Sequence, residues 1–264
     1  VSQCAVTLVL ALLIIGRRAF RKDFNTWEGR SLDFTLMKKL ISFGLPSGFR
    51  FSTEALAWTS FLFFIGRIGT VELAASTIAF RFNGFAFFPI IGLSQAVGIL
   101  VGHAQGQGDP ELSVKITWRG MGLGELWMLV CAALFILSPR YLYGLFEQDS
   151  SAMAGQYAAV SSLGVVLMRF VALYCSLDAC NIILVAALQY AGDTRWTFVT
   201  SVILHGVFVL GLVVADKLQA GLFAEWTIAT AFVMCLALVW VVRFYRGAWK
   251  KIQLVTPDTV AVPT

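Results

Sequence analysis

Two carboxylates stand where the sequence is too apolar to hold charge comfortably. Glu54 follows Gly44-Leu45-Pro46-Ser47-Gly48 and is embedded in Phe49 to Ile65, a run rich in Phe, Leu, Ala and Trp. Asp178 sits in Tyr174-Cys175-Ser176-Leu177-Asp178-Ala179-Cys180-Asn181, inside another long apolar run. Placing a charged group at the centre of a bilayer costs about 2.5–3.5 kcal/mol even on the mildest scales, so such residues are kept for function or for a partner. At helical spacing Ser47, Phe51, Glu54, Trp58, Phe61 and Ile65 share one face. A carboxylate flanked by Phe51 and Trp58 suits a lipophilic cation: the acid takes the charge and the rings take the apolar body. It suits a proton or Na⁺ equally. Arg50, one turn before Glu54, is the competing partner, because an i,i+4 ion pair would neutralise both groups.

Tyr174, Asp178 and Asn181 also fall on one face, and Gln189 returns to it three turns after Asp178. A polar ladder of this kind faces a cavity or another helix rather than lipid. The candidate cation-binding set is therefore Glu54, Asp178, Trp58, Phe51, Tyr174 and Asn181, with Arg50, Gln189 and His205 behind them. His205 lies mid-span and reads better as a hydrogen-bonded core histidine than as a proton relay. Arg81 and Arg169 sit near span ends, within reach of the interface by snorkelling. Glu125 reads as an interfacial carboxylate. No His/Cys/Asp/Glu set has metal-ligand spacing, so no metal or other cofactor is expected. The cysteines Cys4, Cys131, Cys175, Cys180 and Cys235 all lie in apolar sequence and read as small hydrophobes.

The elements that must position these residues are membrane helices. The 264 residues are 58% hydrophobic and 13% charged, with mean hydropathy +0.79. A soluble domain carries about 25% charged residues. Long apolar runs at about 43–65, 74–101, 120–138, 159–189, 196–215 and 222–243 each approach or exceed the length a span needs. Residues 1–16 read as a partial span, so the chain looks like a piece of something longer. The fold class is an all-α polytopic membrane protein. The Gly-x-Pro-x-Gly run around Pro46 is expected to break its helix, and Pro89 to kink another. Gly102 to Arg119 and Ser138 to Gln156 read as loops, and Asp193-Thr194 as a helix cap. Gly98, Gly102 and Gly106 are spaced for close helix contact.

The net charge of +5 is best explained by orientation, and no nucleic-acid partner is expected. With the 17–42 segment placed inside, the inner side collects Arg17, Arg18, Arg21, Lys22, Arg30, Lys38, Lys39, Lys115, Arg119, Arg195, Arg243, Arg246, Lys250 and Lys251. The outer loops hold Arg67, Arg140 and Lys217. The expectation is a multi-pass protein of the cell (inner or plasma) membrane with a cytoplasmic C-terminus. Ser31 to Lys39 could form a short amphipathic helix on the inner surface, and the tail from Ile252 is polar enough to be disordered. There is no Walker loop and no local hydrolase signature, so an enzyme is not expected.

One family carries these features in this order. The broadest match is Gly69, Leu73-Ala74-Ala75, Phe80 to Pro89, Gly92-Leu93, Ala96, Gly102 and Gly106-Gln107-Gly108-Asp109. Gly44-Leu45-Pro46 followed by Glu54 fits the family's seventh helix. Tyr174 to Asp178 and Leu188-Gln189-Tyr190-Ala191-Gly192-Asp193-Thr194 fit its tenth helix and the turn after it. The chain resembles the C-terminal half of a multidrug and toxic compound extrusion (MATE) transporter of the drug-exporting, NorM-like branch, up to about Arg246. The resemblance implies a twelve-helix, two-lobe fold. Residues 1–16 become the last helix of the N-terminal lobe, 17–42 the cytoplasmic linker, 43–246 the C-terminal six-helix lobe, and 247–264 a cytoplasmic tail. It implies efflux of cationic amphipathic molecules by H⁺ or Na⁺ antiport, with Glu54 and Asp178 binding the cation, and an N-terminal lobe as partner. Gln189-Tyr190 stands where many members have Arg-Gly, and Arg50 is not a typical family position. The alternatives are a lipid-linked glycan flippase of the same superfamily, which would want a basic cavity, and a membrane subunit without transport activity.

Overall fold

A computed structural model describes residues 34–146 and 155–252, together with Val6, Leu8 and Val9. The described residues are helical, joined by short turns: α1 Phe34–Ile68, α2 Thr70–Gly106, α3 Pro110–Leu137, α4 Pro139–Gly144, α5 Tyr157–Tyr190, α6 Thr194–Lys217 and α7 Leu222–Arg246. A short 3₁₀ turn, Ala248–Lys251, follows. Helices α2, α3, α5, α6 and α7 are each long and apolar enough to cross a membrane. The chain divides into two units, residues 1–44 and 45–264. In the first, the described side chains of α1's opening turns, such as Phe34, Leu40 and Ile41, are exposed. The second holds the bundle.

Within the bundle α5 is the central element. It packs along α2, α3 and α7, and more of it is buried than of any other spanning helix. Small residues allow this approach, because apolar lipid gives helices no hydrophobic reason to associate and close packing must do it. Gly98 of α2 shows the mechanism: a Cβ there would lie 2.5 Å from the Tyr190 ring of α5. From Leu45 onward α1 behaves differently. Its backbone runs close to no other helix for any length, and it meets them through large rings. Trp58 and Phe61 contact Phe80 of α2 and Phe208 of α6, Phe61 also meets Trp226 of α7, and Trp58 meets Phe232.

Several expectations about element ends change. Helix α1 runs unbroken through Pro46. Proline removes one backbone donor, whereas unwinding would free several N–H and C=O groups, so staying helical is the cheaper outcome. The described part of the expected amphipathic helix, from Phe34, is the start of α1 rather than a separate element; Ser31 to Asp33 lie outside the described residues. The 102–119 segment is not a loop. Helix α2 continues to Gly106 because Gly102 forms part of the surface against Tyr190, and α3 begins at Pro110. The turn is only Gln107 to Asp109. Gly108 takes a positive φ of 75°, and the Asp109 carboxylate accepts from the Leu112 amide at 2.9 Å.

Within the 138–156 segment, α4 forms and buries Tyr143, whose hydroxyl donates to the Ala75 carbonyl at 2.7 Å. Residues 147–154 lie outside the described residues. Pro89 lies inside α2, which passes through it, and the Trp127 indole donates to the Ala86 carbonyl at 2.9 Å one turn earlier. Asp193 occupies the cap position of α6, but its side chain does not cap. Its carboxylate accepts from Arg243 of α7 at 2.8 and 3.1 Å instead, because a bidentate guanidinium outcompetes a single amide. After α7, Trp249 is fully buried and stacks on Phe244 at 5.0 Å. Gln105 Nε2 donates to the Ile252 carbonyl at 3.0 Å, which holds this end on α2. Residues 253–264 of the expected disordered tail lie outside the described residues.

Candidate functional site

Faces of five helices enclose a cavity of about 600 Å³. The periodicity that brings them there is visible helix by helix. From α1 come Arg50, Phe51, Glu54 and Trp58; from α5 come Asp178, Asn181, Val185 and Gln189. Helix α2 supplies Phe80, Asn83, Phe87, Ile91 and Ser94, a three-and-four spacing over four turns. Helix α6 adds Ser201 and His205, and α7 adds Phe232, Leu236 and Trp240. The wall is mainly apolar and aromatic with a few polar groups, the usual make-up of a site for small organic molecules.

Eight of the nine sequence candidates line this cavity: Glu54, Asp178, Trp58, Phe51, Asn181, Arg50, Gln189 and His205. Tyr174 does not. It is 2% exposed and belongs to the core cluster. One turn separates it from Asp178 along the same face, but there α5 is covered by its neighbours, so the shared face is buried at Tyr174 and open at Asp178.

The two acids have different surroundings. Glu54 Oε2 lies 2.9 Å from Arg50 Nη1, with the two side chains 30% and 16% exposed. The i,i+4 pair foreseen as the competing reading therefore forms, and it forms on the cavity wall. Asp178 has no ion pair among the described residues within salt-bridge distance. Next to it on α5, Asn181 Nδ2 donates to the Val233 carbonyl of α7 at 3.2 Å, which leaves its Oδ1 buried without a partner.

His205 is anchored through Nδ1, 2.7 Å from the Ser201 carbonyl one turn earlier, and stacks edge-on to Phe232. A carbonyl only accepts, so Nδ1 carries the proton and Nε2 is left buried without a partner. His205 Nε2 and Asn83 Oδ1 are thus unpartnered acceptors, and Arg50 Nε and Gln189 Nε2 unpartnered donors. The cavity thus presents unsatisfied groups of both kinds, which is how a site binds polar parts of a ligand.

Sequence reasoning passed over Asn83, Ser94, Gln95 and Ser201, which also line the wall. The signal was available: Phe80, Asn83, Phe87, Ile91 and Ser94 repeat at helical spacing within an apolar run. It also passed over Glu225, an acid buried in the first turn of α7 with Oε2 unpartnered, outside the cavity. Glu125 is half-buried against α5. Its carboxylate accepts from Ser176 Oγ and from Cys180 Sγ of α5, because Gly124 beside it lets α3 come close to Ile183. Arg81 and Arg169 are exposed and off the cavity, and Arg81 lies over the Phe146 ring at 5.7 Å. Among the described residues no cluster of metal-ligating side chains occurs, and Cys131, Cys175, Cys180 and Cys235 are free thiols.

Comparison with known proteins gives one answer for sequence and fold. The MatE family model matches residues 46–215, well over half of the chain. The probable multidrug resistance protein NorM of Brucella suis biovar 1 is 26% identical over 247 residues, 93% of this chain and 52% of the relative. The probable NorM of Xanthomonas campestris pv. campestris is 30% identical over 191 residues, 72% of this chain and 40% of the relative. The chain spans about half the length of the curated relatives it matches. Among solved structures, the outward-facing conformation of a multidrug resistance MATE family transporter of the MOP superfamily superposes with a TM-score of 0.78. That match has 19% identity and covers 94% of this chain and 55% of that one. A MOP superfamily transporter from Pyrococcus furiosus Vc1 gives a TM-score of 0.75 at 20% identity, with 86% and 50% covered. The chain belongs to the MatE family, and its all-helical fold is that of MATE transporter structures over about half their length.

Proposed function

We propose that this member of the MatE family provides one lobe of a secondary transporter that exports lipophilic organic cations in exchange for H⁺ or Na⁺. The observation that carries the reading is an apolar cavity with several aromatic rings that holds a carboxylate, Asp178, with no basic partner among the described residues. A lipophilic cation needs both halves of that arrangement, a counter-charge and rings for its apolar body. Phe51, Trp58, Phe80, Phe87 and Phe232 supply the rings. Asn181 offers a polar contact one turn from Asp178, and Gln189 another three turns along the same wall. In this reading Asp178 binds the cation and the coupling ion in turn, while Glu54 is held by Arg50 on the same wall. The NorM relatives, named for multidrug resistance, support the same substrate class.

The coupling scheme follows from exclusion. A carboxylate occupied by a coupling ion leaves the cavity without a counter-charge for the drug, so the two cannot be held together strongly. Their differential binding to one acid links the gradient to export. In this reading the C-terminal end of the chain faces the cytoplasm with the other basic segments, and a second lobe completes the transporter.

A flippase for a lipid-linked glycan would need basic groups for phosphate. Arg50 is the one Lys or Arg on the described cavity wall, and it is already engaged by Glu54. Arg81 and Arg169 lie off that wall. That distribution favours the cation reading over the polyanion one and over a subunit without a ligand. Ethidium export by cells expressing the protein tests it. Export should be lost in Asp178→Asn at equal membrane abundance, and undiminished export in that variant would refute the assignment. Liposomes given either a proton or a sodium gradient identify the coupling ion.

A further inference from the structure

Arg50 and Glu54 together contribute no net formal charge to the cavity wall, yet they sit where a ligand can reach both. The ionisable groups on the described wall are Arg50, Glu54, Asp178, His205 and Tyr190. With His205 held as an Nδ1–H donor to the Ser201 carbonyl and Arg50 closed on Glu54, one formal negative charge is left, on Asp178. Arg50 is also built to stay. Its neighbours on α1 are fixed by the helix, its guanidinium is one turn from Glu54, and its side chain is only 16% exposed. Yet the guanidinium uses Nη1 on Glu54 and leaves Nε buried without a partner, so its grip on the wall is not saturated.

We propose that Arg50 is a specificity-determining residue that sets the valence of the cation this cavity accepts, by pairing with the Glu54 carboxylate so that Asp178 offers a single free counter-charge. The proposal rests on the organic-cation reading above and deepens it. A monovalent cation then meets its charge once, on Asp178. A dication finds no second carboxylate free, and its other charge faces the Arg50 guanidinium. The pair and Asp178 line one cavity of about 600 Å³, in a medium less screening than water, so one uncompensated charge shifts affinity by about tenfold or more. Specificity here comes from a repulsive group as much as from an attractive one.

The test is equilibrium dialysis on the purified chain in lipid nanodiscs. The probes are tetraphenylphosphonium, with one charge, and a bis-triphenylphosphonium joined by a short alkyl chain, with two. Arg50→Met keeps the apolar stem and removes the charge. Its ratio of dication to monocation affinity should rise about tenfold over the parent. Glu54→Gln frees the Arg50 charge and should lower both affinities, the dication's more. The double variant Arg50→Met/Glu54→Gln should return the ratio to the parent value, because the pair acts as a neutral unit. An unchanged ratio in Arg50→Met, or a ratio still shifted in the double variant, overturns the proposal. Where Arg50→Met does not fold, a fall in Glu54→Gln with recovery in the double variant supports it, and no recovery overturns it. Failure of the underlying reading looks different: the parent chain does not bind tetraphenylphosphonium, or Asp178→Asn binds it as tightly as the parent.

Discussion

Helices α1 and α5 each bring one carboxylate to the same cavity, and they are held in opposite ways. Helix α5 is gripped by α2, α3 and α7, with small residues such as Gly98 and Gly124 at the contacts. From Leu45 on, α1 keeps its backbone away from the others and touches them through Trp58 and Phe61. The chemistry follows the packing. On α5, a hydrogen bond to α7 fixes Asn181 one turn from a carboxylate that has no ion pair among the described residues. On α1, few neighbours are close, and Glu54 takes its partner from its own helix one turn away. A firmly clamped helix is suited to hold a ligand-binding charge in place. A loosely clamped one is suited to move, since contacts through a few large rings can slide where interlocked backbones cannot.

Substitutions on the two helices should behave differently. The largest binding effect is expected from Asp178→Asn, which removes the unpaired carboxylate. Tetraphenylphosphonium affinity should fall about a hundredfold, roughly 2.7 kcal/mol, in equilibrium dialysis. The packing of α5 should be nearly as sensitive. Gly98→Val places side-chain atoms inside the Tyr190 ring and should cost about 1–3 kcal/mol, seen as a lower thermal midpoint in detergent. Gly48→Val on α1, where a Cβ would meet no atom within 4 Å, should leave that midpoint nearly unchanged.

Glu54→Gln should weaken tetraphenylphosphonium by only about tenfold, because Glu54 is already paired and its loss acts through the freed Arg50. Phe51→Ala, at a side chain 68% exposed, should cost a few-fold in affinity of the order expected for one aromatic contact and nothing in stability. Tyr174→Phe should leave binding unmoved, since Tyr174 is off the cavity. An effect of Tyr174→Phe on binding equal to that of Asp178→Asn would contradict the boundary drawn between core and cavity on α5.

Much of this architecture was legible in the residues alone. Apolar run length marked the helices, because hydrocarbon admits little else. Helical spacing then put Glu54 on one shared face and Asp178, Asn181 and Gln189 on another, and both faces line the cavity. The misreadings of helix ends share one cause, which is that the local signals used hold best for water-exposed chains. Gly102 and Gly106 read as loop, and Pro46 as a break, yet in a bilayer glycine makes helix contacts and proline is tolerated. Tyr174 was misplaced, and the contacts of Glu125 with α5 were missed, because a face of a helix says nothing about which neighbour covers it. That depends on α3 and α7 meeting α5, a tertiary fact. Arg243 taking the Asp193 carboxylate away from its cap is likewise a contact between residues fifty positions apart.

The central claim is that Asp178, rather than the paired Glu54, supplies the counter-charge for an organic cation. The most direct measurement is tetraphenylphosphonium binding by the parent chain, Asp178→Asn and Glu54→Gln in the same nanodisc preparation. The account predicts binding by the parent, about a hundredfold loss in Asp178→Asn, and a clearly smaller loss in Glu54→Gln. Equal losses in the two variants, or full affinity in Asp178→Asn, would contradict it.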